Sequence, residues 1–259
     1  MASSFYEPGE HRASKVNALF GQIARRYDFV NDVQSFGLHR AWKRKTARLA
    51  RVKSGTLALD VCCGTGDICQ ALARSGAAVV GLDFNLQMLQ IAHRRNRRVE
   101  VGNQTAAAGV ANPELSSGGQ HNRICLIQGD AERLPFLDNT FDAVTAGYGL
   151  RNLEDWRLGL SEMRRVAKPA GRVVVLEFGK PSNVAWRFFY FSYLTLFVPF
   201  LGLAFCGNPR AYSYILQSLH HYPSQIEVAE TMGDLGLINV QLVNLLGGAM
   251  SIHCADKAK

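Results

Sequence analysis

The stretch that decides the fold is TLALDVCCGTGDICQAL, residues 56–72. A run of strand-forming apolar residues reaches Asp60, Cys62 and Cys63, breaks at Gly64-Thr65-Gly66, and passes through Asp67 into a helical pattern. A strand that is apolar throughout is buried on both faces, as in a parallel sheet covered by helices. At its carboxyl end the chain must turn sharply. Gly64 and Gly66 permit positive φ and let a ligand approach the backbone with no Cβ in the way. In open α/β sheets ligands sit outside the strand carboxyl ends, at the topological switch point. The next strand, AVVGLD (78–83), ends in Asp83, seventeen residues past Gly66. A carboxylate there accepts both hydroxyls of a ribose. Strand, glycine loop, helix, strand and acidic end together predict a nucleoside-containing cofactor.

The loop also narrows the choice of cofactor. A dinucleotide fingerprint requires G-x-G-x-x-G. Here the run is Cys62-Cys63-Gly64-Thr65-Gly66-Asp67-Ile68-Cys69, without the outer glycines. Asp67 would repel a pyrophosphate. An acidic loop suits a cofactor without phosphate. S-adenosylmethionine is one, and its sulfonium and ammonium would be attracted by Asp60 and Asp67. Cys62 and Cys63 need no redox role; they are compact fillers where strand meets loop.

Outward from this unit, strand signals recur at 124–130, 141–148 and 172–178, with helical patterns between most of them. Trp156, Leu160, Met163 and Val166 share one helix face. The alternation predicts an α/β fold with a parallel sheet covered on both sides. INVQLVNLL and GAMSIHCADK, joined at Gly247-Gly248, predict a closing hairpin. The chain of 259 residues, 47% hydrophobic, is long enough for one sizeable domain with an elaboration. A net charge of +8 favours anionic partners without selecting one. The six cysteines form no CxxC pair and no His/Cys ligand spacing, so no metal is expected. The polar opening, with no apolar leader, points to a cytoplasmic, reducing setting. The residues at 97–122, rich in Gly, Ala, Ser and Asn, read as an insertion loop.

LDVCCGTGD resembles motif I of the class I S-adenosylmethionine-dependent methyltransferases. YDFVNDVQSFGLHRAWKR, LPFLDNTFDAVTAGYGLRNLED, EMRRVAKPAGRVVVLEFGKP and YSYILQSLHHYP are similar to the ubiquinone/menaquinone biosynthesis C-methyltransferases, over about residues 16–256 apart from the insertion. Two positions depart from that family: KPAG stands where Lys-Pro-Gly-Gly is usual, and Gly147 where some relatives carry serine. The resemblance implies a Rossmann-like fold: a mostly parallel seven-stranded sheet, helices on both faces and an antiparallel C-terminal hairpin. It implies an N-terminal helical substrate cap over 1–50 and a cofactor-binding domain over 51–259, with an apolar lid at about 182–222. It places Asp60, Gly64, Thr65 and Gly66 on the methionine part of S-adenosylmethionine and Asp83 on its ribose. Asp130 and Ala131 fall on adenine, with Gly147 beside the cofactor. Tyr148, Arg151 and Asn152 face the substrate, a prenylated quinol that accepts the methyl group on a ring carbon. On that reading Arg151 with Asn152 stabilises a phenolate oxygen, and water, Tyr148 or a histidine such as His253 takes the proton.

The uncharged stretch FFYFSYLTLFVPFLGLAFCG (188–207) has the length of a membrane span. It lies inside the α/β order, before two strands that must rejoin the sheet, so spanning is not expected. Burial in the core and a lid over the isoprenoid tail, touching the membrane surface, are the two readings. In the second, Arg40, Lys43, Arg44, Lys45 and Arg48 meet anionic headgroups at the inner face of the membrane. Another lipophilic substrate and RNA are the competing acceptors, and a homodimer is compatible with either. Nucleic acid is not expected: the Asn-Pro-Pro-Tyr motif of amino-directed enzymes and a Pro-Cys nucleophile are absent. A nucleoside-binding scaffold without catalysis is disfavoured by the intact GTGD and YGLRN.

Overall fold

In a computed structural model, residues 11–24, 27–95, 99–100, 124–200 and 209–259 are described. Apart from Val99–Glu100, the insertion expected at 97–122 lies outside them, as does the 201–208 part of the expected lid.

The sheet is built as the alternation predicts. Strands β1 (Leu57–Val61), β2 (Ala78–Asp83), β4 (Ile124–Gln128), β5 (Phe141–Gly147), β6 (Ala167–Phe178), β7 (Leu237–Leu245) and β8 (Met250–Lys257) are the seven expected, and a two-residue edge strand, β3 (Val99–Glu100), adds an eighth. Their spatial order is β3-β4-β2-β1-β5-β6-β8-β7. All pairings are parallel except those of β8, which runs antiparallel to both β6 and β7. From β1 the chain moves outward through β2 to β4 and then crosses to β5 on the other side. The switch point therefore lies between the carboxyl ends of β1 and β5.

Helices cover both faces. The aligned apolar residues of α6 (Trp156–Val166) are seated as their spacing requires, with Leu160, Met163 and Val166 fully buried. The Asp155 carboxylate caps this helix by accepting the N–H groups of Arg157 and Leu158 at 2.8 and 3.2 Å. Helix α4 (Asp67–Arg74) follows the glycine loop, and α5 (Leu86–Arg95) follows β2. At the KPAG turn Ala170 has φ of 62°, a left-handed conformation that favours glycine, so the departure from Lys-Pro-Gly-Gly leaves a strained residue there.

Helices α1 (His11–Ile23) and α2 (Tyr27–Ser35) lie near the carboxyl ends of the strands together with α7 (Val184–Ser192) and α8 (Pro209–His221), while α3 (Leu38–Leu49) packs along the sheet beside α4, its Leu49 carbonyl accepting Arg172 Nε–H at 3.2 Å. Helix α7 runs through a wider turn at Tyr193–Phe197 and stays helical to residue 200. Val16 and Leu19 of α1 pack with Tyr190, Leu194, Val198, Tyr214 and Leu219 in an apolar cluster separate from the two that flank the sheet. The described part of the uncharged stretch, to residue 200, is thus half buried. Residues 190, 194 and 198, spaced by four, face this cluster, while Phe188, Phe189, Leu196 and Phe200 are exposed. No helix among the described residues is long and apolar enough to cross a membrane. The last helix, α9 (Gln225–Asp234), carries a capping box between Ser224 and Glu227.

Candidate active site

Two clefts open where the strand ends gather, and Tyr148 belongs to the walls of both. The first is walled by the turns after β1, β2, β4 and β5: Cys62 and Gly64, Asp83 to Asn85, Gly129 to Glu132, and Gly147 to Gly149. Asp83 is held by its own turn. Its Oδ2 accepts the Gly64 N–H and its Oδ1 accepts the Asn85 N–H, both at 2.8 Å. Burial raises this carboxyl above the usual range, against the pull of those two backbone donors. Each oxygen keeps a further lone pair for a hydroxyl. Helix α1 closes the cleft from above: the Asn85 side-chain amide donates to the Asn17 carbonyl at 2.8 Å and to its side-chain oxygen at 2.6 Å.

Two backbone turns come unusually close here. Cys62 and Tyr148 both adopt left-handed conformations, with φ of 55° and 62°. A Cβ on Gly149 would lie 2.5 Å from Cys62 Cβ, so the β1 and β5 turns can meet only through a glycine. A Cβ on Gly147 would approach Ile68 Cδ1 to 2.5 Å, so a serine at that position requires Ile68 to shift.

The cleft wall carries Asp83, Asp130, Glu132 and Glu154, with no lysine or arginine among the described residues that line it. A pyrophosphate would meet only like charge there, whereas a nucleoside attached to a cationic sulfonium and ammonium fits. Ala131 is buried in the wall, and Asp130 is exposed, with Oδ1 accepting the Glu132 N–H at 2.9 Å. Asp60 is not at the wall. It lies under the loop, where Thr145 Oγ1 donates to its Oδ1 at 2.7 Å and Cys69 Sγ approaches its Oδ2 at 3.3 Å. Burial raises Asp60 to about 7 against these two partners. Thr65 and Gly66 also lie outside the cleft wall, beneath the N-terminal helices. The Thr65 hydroxyl donates to Asp28 of α2 at 2.9 Å, Lys43 of α3 pairs with Asp67 at 2.8 Å, and Arg95 pairs with Asp28 at 2.6 Å. Burial works to raise Asp67, but Lys43 and Arg95 outweigh it and hold the carboxyl below the usual range.

The second cleft is an apolar chamber of about 370 Å³, within the roughly 300–1,000 Å³ typical of ligand pockets. Its walls come from α1, α2, α3, α7, α8 and the ends of β5 and β6. Arg151 enters it 5% exposed. Its Nε lies 3.1 Å from Oε1 of Glu177, its NH1 donates to Asn152 Oδ1 at 2.7 Å and to Ser218 Oγ at 3.3 Å, and its guanidinium sits 5.0 Å from the Phe178 ring centre. Burial raises the Glu177 carboxyl above its ordinary value, and Arg151 opposes this. Arg151 thus pairs inward with Glu177 of β6. Asn152 faces the first cleft, donating its Nδ2 to the Tyr148 carbonyl at 2.9 Å and accepting the Tyr214 hydroxyl at 3.1 Å. The Tyr148 ring packs against Phe178 with centroids 5.5 Å apart.

His39 is a further polar group in the chamber wall, its side chain 4% exposed. Its Nε2 lies 2.8 Å from Asp32 Oδ1, and Nδ1 is buried with no hydrogen-bond partner. Asp32 also receives Arg40, whose hydrogen bond does most to hold the Asp32 carboxyl at about 2. His253 is elsewhere: it is fully buried, with Nε2 2.7 Å from the Gln225 carbonyl, and lines neither cleft. Of the basic residues expected at headgroups, Lys43 and Arg40 are engaged with Asp67 and Asp32.

The fold is Rossmann-like, with one cleft at the switch point and an apolar chamber beside it. Residues 9–257 match the ubiE/COQ5 methyltransferase family, and the chain belongs to it. It is 37% identical over 251 residues to the demethylmenaquinone methyltransferase of Bacillus subtilis (strain 168), covering 96% of this chain and 99% of that one. It is 36% identical over 249 residues to the ubiquinone/menaquinone biosynthesis C-methyltransferase UbiE of Cellvibrio japonicus (strain Ueda107), covering 95% and 92%. Among solved structures, a putative methyltransferase in complex with the Haloferax volcanii Trm112 activator superposes with a TM-score of 0.61 at 16% identity, covering 93% of this chain and 98% of that one. A Haemonchus contortus phosphoethanolamine N-methyltransferase 2 in complex with S-adenosyl-L-methionine gives 0.55 at 16% identity, over 82% of this chain and 51% of that one. At such identities the structural likeness concerns the fold alone.

Sequence reading missed Glu177, Asp32 and His39 as site residues. Glu177 stands in a strand of valines and leucines, where a lone acid was itself a signal that a buried cation lay nearby. Asp32 and His39, seven residues apart across the Phe36-Gly37 turn, give no periodic signal.

Proposed function

We propose that the protein transfers a methyl group from S-adenosylmethionine to a ring carbon of a prenylated quinol, as the name demethylmenaquinone methyltransferase describes for its relatives. The observation that carries this reading is an apolar chamber that shares Tyr148 with the cofactor cleft and holds one deeply buried, charge-paired arginine. Bound S-adenosylmethionine supplies an electrophilic methyl carbon; everything else is asked of the chain. Asp83 takes the ribose hydroxyls, and Asp130 and the Ala131 backbone take the adenine edge. Gly64, Thr65, Gly66 and Asp60 shape the methionine end, with Gly147 beside it. Residues 1–50 and 182–222 act as cap and lid over residues of the α/β domain.

The acceptor is a poor nucleophile as a neutral phenol, whose ordinary pKa near 10 leaves it protonated at pH 7. Charge accumulates on its oxygen as the ring carbon attacks. Arg151 presents a fixed positive charge in a water-poor chamber, where such a charge is most effective. Glu177, Asn152 and the Phe178 ring keep the guanidinium from turning away, and Asn152 ties it to the Tyr148 turn shared by both clefts. Tyr148 then sets the contact between ring carbon and methyl, a displacement that needs a straight approach.

The test is a methyl-transfer assay with labelled S-adenosylmethionine and a short-tailed demethylmenaquinol. The reduced quinol is expected to yield a ring-methylated product, and the oxidised quinone none. Transfer to RNA or to a non-phenolic lipid in place of the quinol would sink this reading.

We propose a peripheral membrane contact at the inner face of a bilayer, and the chamber's rim supports it. Phe36, Trp186, Phe189 and Leu246 line the chamber and are exposed at its mouth, a position suited to receiving a long isoprenoid tail from lipid. Two inserted phenylalanines account for a large part of such binding. Phe36→Asp/Phe189→Asp is therefore expected to lower co-sedimentation with anionic vesicles by about tenfold or more. Unchanged pelleting of the variant would rule out this rim as the contact.

A further inference from the structure

We propose that Tyr214 is a positioning residue for methyl transfer: its hydroxyl fixes the Asn152 side chain and, through it, the Arg151 guanidinium, so that α8 completes the Arg151–Asn152 pair as well as walling the chamber. The assignment rests on the quinol reading above, in which Arg151 meets the developing phenolate. A charge favours that oxygen best when it is already oriented before the reaction begins. Asn152 follows Arg151 in the chain, and its Oδ1 accepts from the guanidinium at 2.7 Å. What holds the Asn152 amide therefore also holds Arg151.

That amide has one orientation that satisfies its surroundings. A guanidinium only donates and a peptide carbonyl only accepts. Oδ1 must face Arg151, and Nδ2 must face the Tyr148 carbonyl, to which it donates at 2.9 Å. The remaining lone pair of Oδ1 is taken by the Tyr214 hydroxyl, which donates at 3.1 Å. Tyr214 is 1% exposed, so bulk water does not compete for this position. One turn further along α8, Ser218 Oγ accepts directly from Arg151 at 3.3 Å. Residues 214 and 218 are four apart and share a helix face, so a single face of α8 reaches both members of the pair. The tyrosines of α7 behave differently. Tyr190 donates to the Ala249 carbonyl at 3.1 Å, and Tyr193, just beyond the helix, to the Gln34 carbonyl at 2.6 Å, so they brace backbone.

The Tyr214 ring has a separate task. It stands edge-on to Phe20 of α1, with centroids 6.4 Å apart and planes at 89°, and both rings line the chamber. Ring and hydroxyl can therefore be separated by substitution: phenylalanine keeps the packing and removes the hydrogen bond. The consequence for function is that Arg151 has these partners when α8 is seated on the chamber. Methyl transfer is thereby favoured in a covered chamber, where water is excluded and a fixed charge acts most strongly.

The experiment is a double-mutant cycle on reduced short-tailed demethylmenaquinol. Tyr214→Phe is expected to lower kcat by about tenfold, the loss of one buried hydrogen bond that acts in the transition state. KM for the quinol and Kd for S-adenosylmethionine should stay within about twofold of wild type, a split that loss of a substrate-binding contact does not give. In an Asn152→Ala background the same substitution should change kcat by less than about twofold, because its route to Arg151 is gone. A second readout needs no acceptor. In nitrogen-15 spectra of the Arg151 guanidinium, assigned by their loss in Arg151→Gln, rotation that exchanges the two terminal nitrogens should be about tenfold faster in Tyr214→Phe than in wild type. The proposal is overturned by a Tyr214→Phe kcat within about twofold of wild type, by a raised quinol KM at constant kcat, or by unchanged guanidinium rotation. An equal loss of kcat in the Asn152→Ala background would also overturn it, making Tyr214 a contact of the acceptor itself. If wild type transfers no methyl to the quinol while still binding S-adenosylmethionine, the quinol reading fails, and the guanidinium spectra alone decide whether Tyr214 positions Arg151.

Discussion

Arg151→Gln is expected to lower kcat for quinol methylation by about 10²–10³ while leaving KM for the quinol within a few-fold, the loss typical of removing one preorganised group that stabilises developing negative charge. The choice of glutamine matters. Glu177 is fully buried, and Arg151 is the cation facing it. An alanine would strand that carboxylate, and breaking a buried pair from one side costs about 3–5 kcal/mol. An inactive alanine variant would then report unfolding as readily as lost catalysis. Glutamine can still donate toward Glu177 but carries no charge. Arg151→Gln/Glu177→Gln removes the stranded charge altogether and should be as stable as wild type by urea denaturation, yet as slow as the single variant. If the double variant regained wild-type kcat, Arg151 would be a strut for the 148–152 turn, bound to Glu177, Asn152 and Ser218, and the oxyanion role would be lost.

Asp83→Asn is expected to weaken S-adenosylmethionine binding by about 10²-fold or more, because two charge-assisted hydrogen bonds to the ribose are each worth about 1.5–3 kcal/mol. The substitution is nearly isosteric, but it reverses one polarity. In the native turn both carboxylate oxygens already accept a backbone N–H, from Gly64 and from Asn85. An amide can accept with one atom only, so its NH₂ must face a second donor or turn toward the ribose. The expected signature in titration calorimetry is a weaker Kd for S-adenosylmethionine and for S-adenosylhomocysteine alike, since both carry the same ribose. If only the first weakened, Asp83 would be sensing the sulfonium charge. Affinity unchanged for both would remove Asp83 from the ribose site.

Much of the architecture is legible residue by residue. The apolar run before Gly64, the acid closing AVVGLD and the spacing of Trp156, Leu160, Met163 and Val166 are local facts, and β1, β2 and α6 form where they predict. So is the Gly247-Gly248 turn, with both residues at positive φ between β7 and β8. The uncharged stretch was ambiguous for a physical reason: apart from Ser192 and Thr195 its residues are apolar or aromatic, so periodicity cannot say which face is covered. The fold covers one stripe, Tyr190, Leu194 and Val198, with α1 and α8, and leaves the opposite face bare. The basic face of α3 divides in the same way, because Lys43 is consumed by Asp67 and Arg40 by Asp32.

By itself, then, the amino-acid sequence determined the strand–helix order, the glycine turn and acidic strand end of the proposed cofactor site, and the Tyr148-Gly149-Leu150-Arg151-Asn152 turn, because propensity, period and turn chemistry act within a few residues. The tertiary structure alone decided that Glu177 partners Arg151 across 26 residues of chain, that Ser218 reaches it across 67, and that Asp60 lies beneath the cofactor loop instead of at its wall. It also decided that His39 is fixed by Asp32 in the wall of an apolar chamber. Such pairings depend on which strand lies beside which and on how the cap is docked, and those are set by burial summed over the whole chain.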